Sequence, residues 1–187
     1  MVKDRGAIFI EDKVVRIDAP NRALHLASGG KVNYDVVSFN TGSSVPLEGI
    51  STEPDHIIAV KPIINLLKGR RQLIEALEQG PRKIIVLGGG PAGIEVAGNV
   101  WKAVQTCKHN AEIALVAGSK LLKEHPSKVS DLAAYSLKKR GIRILQGVHV
   151  AKIGQGKAEL SDGNTLDYDL AFAALGVTPS PIFSESG

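Results

Sequence analysis

Apolar residues follow two rhythms along this chain. Up to residue 45 they form short β-rich runs cut by turns: Ala7–Ile10, Val14–Ile17, the weakly alternating Ala23–Leu26, and then Tyr34–Asn40, closed by Thr41-Gly42. Ser28-Gly29-Gly30 supplies a turn inside this meander. Residues 46–62 carry three prolines and little periodicity, which predicts a connector. Helical spacing begins with Ile63, Leu66, Leu67, Leu73, Ile74 and Leu77. Pro62 stands near the first turn of that helix, where a missing N–H costs nothing, and Gly80-Pro81 stops it.

From residue 82 strand and helix alternate. Ile84–Leu87 is a fully apolar strand that Gly88-Gly89-Gly90 breaks, and a helix over about Ala92–Cys107 places Ile94, Ala97, Trp101 and Val104 on one face. Ile113–Val116 is the next strand. Ser127 is the expected cap of a further helix with Val129, Leu132, Ala133, Ser136 and Leu137 as its inward stripe. Lys138, Lys139 and Arg140 stand at its C-terminus, where cations favour the helix dipole, and Gly141 ends it. Ile142–Leu145 reads as a strand. Beyond residue 147 a meander returns and leads to the apolar run Leu170–Leu175. The alternation predicts βαβ units and a parallel sheet, an α/β fold.

The two meanders repeat one another. Arg5-Gly6-Ala7-Ile8-Phe9-Ile10 sets against Arg140-Gly141-Ile142-Arg143-Ile144-Leu145, Val14–Ile17 against Val150–Ile153, and Arg22–Leu26 against Gly156–Leu160. Gly30 with Tyr34-Asp35 then matches Gly163 with Tyr168-Asp169. Each Tyr opens an apolar run of the same length that closes on a Gly, at Gly42 and Gly176, and Pro46 and Pro179 follow closely. The second copy comes after a complete strand–Gly loop–helix unit. The first copy therefore predicts an equivalent unit upstream of Met1, with this chain beginning partway through a fold.

Gly88-Gly89-Gly90-Pro91-Ala92-Gly93 fits the pattern G-x-G-x-x-G, with the small Ala97 following. It comes directly after an apolar strand and opens an amphipathic helix, the context that gives the pattern meaning. Gly88 permits the tight turn, Gly90 lets a pyrophosphate approach the backbone, and Gly93 lets helix and strand pack closely. The helix N-terminus then offers unpaired N–H groups and its positive dipole end to phosphates. An acidic residue that bonds the adenosine ribose is expected at the end of the second strand, where this chain has Ala117, followed by Gly118, Ser119 and Lys120. Without a carboxylate nothing repels a 2′-phosphate, and Lys120 favours one. Ser119 or backbone groups can serve a ribose equally, so NAD and NADP both stay open. Glu95, expected in the first helical turn, reads either as a complement to the dipole or as a carboxylate beside a nicotinamide.

Composition narrows the class. The 187 residues hold one Cys, Cys107, which excludes a disulfide scaffold, a Cys-rich zinc site and an internal redox-active Cys pair. A net charge of +4 and an aromatic content of 4% argue against nucleic acid as a partner. The five His show no metal-ligand spacing, so no metal site is expected, and no catalytic side chain stands out. No apolar run approaches the roughly 18 residues of a spanning helix. Met1-Val2-Lys3-Asp4-Arg5 is no signal peptide, and a cytoplasmic location is expected.

The segment Ile84–Ala97 resembles the NAD(P)-binding domain of the pyridine nucleotide-disulfide oxidoreductase superfamily. Tyr34–Gly42 is similar to the strand ending the family's first flavin-domain segment, Asp169–Pro179 to its counterpart where the chain leaves the NAD domain, and Val60-Lys61-Pro62-Ile63 to the linker. The branch it most resembles is the non-disulfide one, with type II NADH dehydrogenases, sulfide:quinone reductases and apoptosis-inducing-factor-like proteins. The resemblance implies a Rossmann-like FAD/NAD(P)-binding α/β domain: a parallel sheet with helices and a β-meander, plus partial flavin-domain strands. The expected boundaries are 1–45 for a partial FAD-domain meander, 46–80 for connector and helix, 81–180 for the NAD(P)-binding domain, and 181–187 for the return to the FAD domain.

The resemblance also implies NAD(P)H as cofactor, FAD in the full-length parent, hydride passing from nicotinamide to flavin, and a further electron acceptor, quinone or other. Gly88, Gly90, Gly93 and Glu95 carry over to the nicotinamide cofactor, with Gly89, Pro91 and Ala92 completing the loop. Gly176 and Val177 lie near where the pyridine nucleotide passes, and Gly42 would approach FAD. The flavin's own Gly loop and the segment that completes the flavin site are missing from the sequence. A homodimer, or a peripheral position at the cytoplasmic membrane face, would belong to the full-length protein. The chain itself is expected to bind NAD(P)H weakly and turn nothing over. A non-catalytic nucleotide-binding or regulatory module is the alternative; an ordinary NAD dehydrogenase would need a His or Tyr constellation that the sequence does not offer.

Overall fold

The computed structural model describes residues 3–47, 50 and 57–186. The connector expected over 46–62 lies partly outside these residues, as do Met1, Val2 and Gly187; within its described part Ile57–Ala59 is not connector but a strand, since it pairs in the parallel sheet. Two compact units divide the chain, residues 1–42 with 179–187 and residues 43–178.

In the smaller unit β1 (Val14–Asp18), β2 (Ala23–Leu26) and β3 (Lys31–Asn33) form an antiparallel meander. Ile17 and Ala23 are its buried residues, and a short helix, α4 (Ile182–Glu185), adds Ile182. Phe183 of that helix meets Phe39 edge-on, with ring centroids 5.2 Å apart. Neither Ala7–Ile10 nor Tyr34–Asn40 forms the expected strand. A strand needs a neighbour to satisfy its ladder, and among the described residues no strand pairs with these runs: Ile8 is 88% exposed and Val36 89%.

The larger unit is built on a parallel sheet of β5 (Ile57–Ala59), β6 (Arg82–Leu87), β7 (Ala111–Ala117), β8 (Arg143–Gln146) and β12 (Leu170–Ala173), in the order β5-β12-β6-β7-β8. Ile84, Ile85, Val86 and Leu87 are all buried, and so is every residue of β12. Strands covered on both faces need unbroken apolar runs, which these sequences supply. From β6 the chain steps through α2 (Pro91–Thr106) to β7 and through α3 (Ser127–Lys139) to β8, then returns to β12 on the other side of β6. Helix α1 (Ile64–Glu78) buries Leu73 and Leu77 and approaches the sheet closely at Gly69, where a Cβ would stand 2.9 Å from both Ile58 and Phe172. Pro62 lies just outside α1, and Ile63 and Leu67 face outward. Two-residue strands β4 (Ser43–Ser44) and β13 (Thr178–Pro179) pair with each other.

Helix faces depart from the expected stripes in two places. On α2 the buried residues are Gly93, Val96, Ala97, Val100 and Val104, with Ile94 and Trp101 at the margin of the core. On α3 they are Ser130 and Leu137, while Val129 and Leu132 are exposed. The buried Ser130 hydroxyl is satisfied there, donating to the Leu121 carbonyl at 2.7 Å. Nor does Ser127 cap the helix; it is the first helical residue, after Pro126.

A second meander, β9 (Val150–Gly154), β10 (Lys157–Leu160) and β11 (Thr165–Asp167), reproduces the first down to its hydrogen bonds. Val15 is skipped in the β1–β2 register as Ala151 is between β9 and β10. Tyr34 N–H donates to the Arg22 carbonyl, and Tyr168 N–H to Gly156. Leu26 N–H donates to Gly30, and Leu160 N–H to Asn164. These bonds correct one pairing. The turn residues that correspond are Gly29 and Gly163, at φ +88° and +84°, and not Gly30 and Gly163. No helix among the described residues is long and apolar enough to cross a membrane.

Candidate functional site

The chain leaves β6 at Gly88, beside the point where β12 ends. Because β6 connects onward to β7 on one side while β12 flanks it on the other, this is the sheet's topological switch point, where open α/β sheets place ligands. Gly88 stands at φ +122°, and a Cβ there would lie 2.2 Å from the Ala174 carbonyl oxygen. A Cβ on Gly93 would lie 1.8 Å from the Gly88 carbonyl oxygen, and one on Gly89 2.6 Å from the Ala117 methyl. Those three glycines are demanded by contacts within the protein. Gly90 is different. It has extended backbone at φ −80°, ψ −179°, and a Cβ there would meet nothing within 4 Å.

Gly90 is the cap residue of α2 and makes no side-chain cap bond; Pro91, the first helical residue, brings no N–H. Ala92 and Gly93 follow in the first turn, where N–H groups lack intrahelical acceptors. Open space therefore faces amide donors at the positive end of a helix dipole, a cradle that suits a phosphate.

The loop after β7 forms the neighbouring wall. Ala117 closes that strand with its methyl fully buried against Gly89, so at the acidic-residue slot this chain presents only a methyl. Gly118, Ser119 and Lys120 are exposed beyond it. Leu121 is then buried, and Leu122 N–H donates to the Gly89 carbonyl at 2.8 Å, tying this loop to the Gly loop. The Gln146 side chain accepts from Leu121 N–H at 2.7 Å. Sequence reasoning did not reach Gln146 or Ser130, because only the β7–β8 register, with Ala117 opposite Gln146, brings them to this loop. On the other side, Gly176 and Val177 are exposed just beyond β12.

Other expected residues stand elsewhere. Helix α2 begins at Pro91, so Glu95 is in its second turn and not its first; it is exposed and lines the groove between α2 and α3 with Trp101, Ser136 and Arg140. Gly42 belongs to the smaller unit and has φ +68°. Cys107 is a half-buried free thiol. A cavity of about 550 Å³ opens where β6 and β7 begin, at the opposite end of the sheet from the Gly loop. Three of its cations have partners: Arg82 lies 3.7 Å from Asp169, Lys83 3.2 Å from Asp167, and the Arg140 guanidinium sits 5.1 Å from the Trp101 ring centroid. The carboxyl ends of the strands carry the stronger case for a ligand.

Residues 3–187 match the pyridine nucleotide-disulphide oxidoreductase family. The chain belongs to it. Within the family, the chain is 25% identical over 198 residues to the internal alternative NAD(P)H-ubiquinone oxidoreductase A1, mitochondrial, of Solanum tuberosum, covering 94% of this chain and 40% of that protein. It is 30% identical over 188 residues to the NADH-dependent phenylglyoxylate dehydrogenase subunit epsilon of Aromatoleum evansii, covering 91% and 42% respectively. The crystal structure of the ferredoxin reductase for the CYP199A2 system from Rhodopseudomonas palustris superposes with a TM-score of 0.82 at 25% identity, over 99% of this chain and 45% of that one. The α/β fold is thus that of FAD/NAD(P)-binding reductases, and the chain spans less than half the length of these relatives.

Proposed function

We propose that the crevice between the Gly88–Gly93 loop and the ends of β7 and β12 binds the pyrophosphate of NAD(P)H. The chain on this reading is the nicotinamide-dinucleotide-binding part of an FAD-dependent NAD(P)H oxidoreductase. One observation carries it: in a loop whose other glycines are filled in by protein contacts, Gly90 alone leaves its Cβ position open, directly before the helix N-terminus. When bound, NAD(P)H supplies a hydride and FAD accepts it. The chain's own residues bind and orient. Gly90, Ala92 and Gly93 hold the phosphates, the arch Gly118–Lys120 meets the adenosine ribose, and Gly176 and Val177 flank the path of the nicotinamide. Lys120 can accept a 2′-phosphate and Ala117 does not repel one, so either nucleotide fits.

The repeat supports a flavin half. In the hydrogen-bond register, Tyr34 corresponds to Tyr168, so Val36 and Val37 correspond to Leu170 and Ala171 of β12, which lie buried in the parallel sheet. The exposed runs 7–10 and 34–40 are then edge and central strands of a second dinucleotide-binding sheet, the place of the FAD. The acceptor beyond the flavin, a quinone in some relatives by name and a ferredoxin in others, belongs to the full-length protein.

Calorimetric titration with NADH and with NADPH tests this reading. Weak, saturable binding of at least one is expected, and Gly90→Asp abolishes it by setting a carboxylate against the pyrophosphate. Absence of heat with both nucleotides overturns the reading.

A further inference from the structure

We infer that Gln146 is a positioning residue for the arch that meets the adenosine end of the nucleotide, an inference that rests on the nucleotide reading above. Gln146 ends the edge strand β8 and stands opposite Ala117, where β7 opens into its loop. From there its Oε1 accepts the N–H of Leu121 at 2.7 Å. The Leu121 carbonyl accepts from the buried Ser130 hydroxyl of α3, also at 2.7 Å, and the Leu121 side chain is fully buried. Leu122, held at φ +50°, donates its N–H to the Gly89 carbonyl at 2.8 Å. Thus side chains from β8 and α3 fix both polar backbone groups of one residue, and the next residue is bonded to the Gly loop.

This leaves Gly118, Ser119 and Lys120 as a short exposed arch with both ends fixed, one in β7 and the other at Leu121. An arch ordered before the ligand arrives spares the ordering cost on binding. Of the two side chains at Leu121, only that of Gln146 is exposed, so removing it opens no core cavity. It acts as an acceptor, and Glu offers the same acceptor geometry.

The test combines amide hydrogen exchange on the nucleotide-free chain with calorimetry for NADH and NADPH, on wild type, Gln146→Ala and Gln146→Glu. In Gln146→Ala the Leu121 amide exchanges faster, the melting temperature falls by only about a few degrees, and Kd for nucleotide rises roughly tenfold, the scale of one lost hydrogen bond. Gln146→Glu restores both exchange protection and affinity. Unchanged Leu121 exchange in Gln146→Ala, or faster exchange with wild-type affinity, overturns the positioning role while leaving the nucleotide reading standing. A wild-type chain that binds neither nucleotide overturns the nucleotide reading, and the positioning role with it.

Discussion

The glycines of one loop obey different constraints. Gly88 and Gly93 face backbone carbonyl oxygens at distances no Cβ can occupy, whereas Gly90 has ordinary L-residue backbone and free space. Substitution by Ala separates the two kinds. Gly93→Ala destabilises the fold by about 3 kcal/mol or more, since the obstructing atom is backbone and cannot swing away. Gly90→Ala leaves the melting temperature nearly unchanged yet weakens NAD(P)H binding by about tenfold or more, because its methyl enters phosphate space. Parallel thermal melts and titrations check both. The glycine spacing was readable in the sequence since each position performs a separate steric task. Glu95 falls just past the first turn because the helix starts at Pro91, one residue before the expected Ala92, a boundary that spacing alone does not fix. The bond between Leu121 N–H and the Gln146 side chain left no local trace, since it depends on a register between two strands distant in sequence.

Elements were legible where burial is two-sided. Strand β6 and helix α2 follow from an unbroken apolar run and a helical period, and both lie within a residue or two of expectation. Helix α3 shows where hydrophobicity alone misleads: the expected stripe is right at Leu137, but Val129 and Leu132 are exposed and Ser130 is buried, held by its bond to Leu121. Leu132→Ser should therefore change unfolding free energy by less than about 0.5 kcal/mol, while Leu137→Ala costs about 2–5 kcal/mol. Urea unfolding of the two variants distinguishes the observed stripe from the expected one; equal losses would restore the latter. Ala7–Ile10 and Tyr34–Asn40 fail for a different reason. Their composition suits strands, but β structure is a property of neighbours, and no ladder partner reaches them among the described residues.

At the scale of the molecule, the internal repeat organises both units. Its two copies share turn geometry, skipped residues and backbone bonds, although only one is joined to a strand–Gly loop–helix unit in this sequence. That asymmetry leaves the candidate nucleotide crevice in the larger unit. The most direct measurement is an amide chemical-shift map of the chain titrated with NADH. Perturbations should concentrate at residues 88–93, 117–120 and 174–177, the three segments that converge at the carboxyl ends of β6, β7 and β12. Shifts confined to the cavity lined by Arg82, Trp101 and Arg140 at the other end of the sheet would contradict the account, as would a spectrum that does not change.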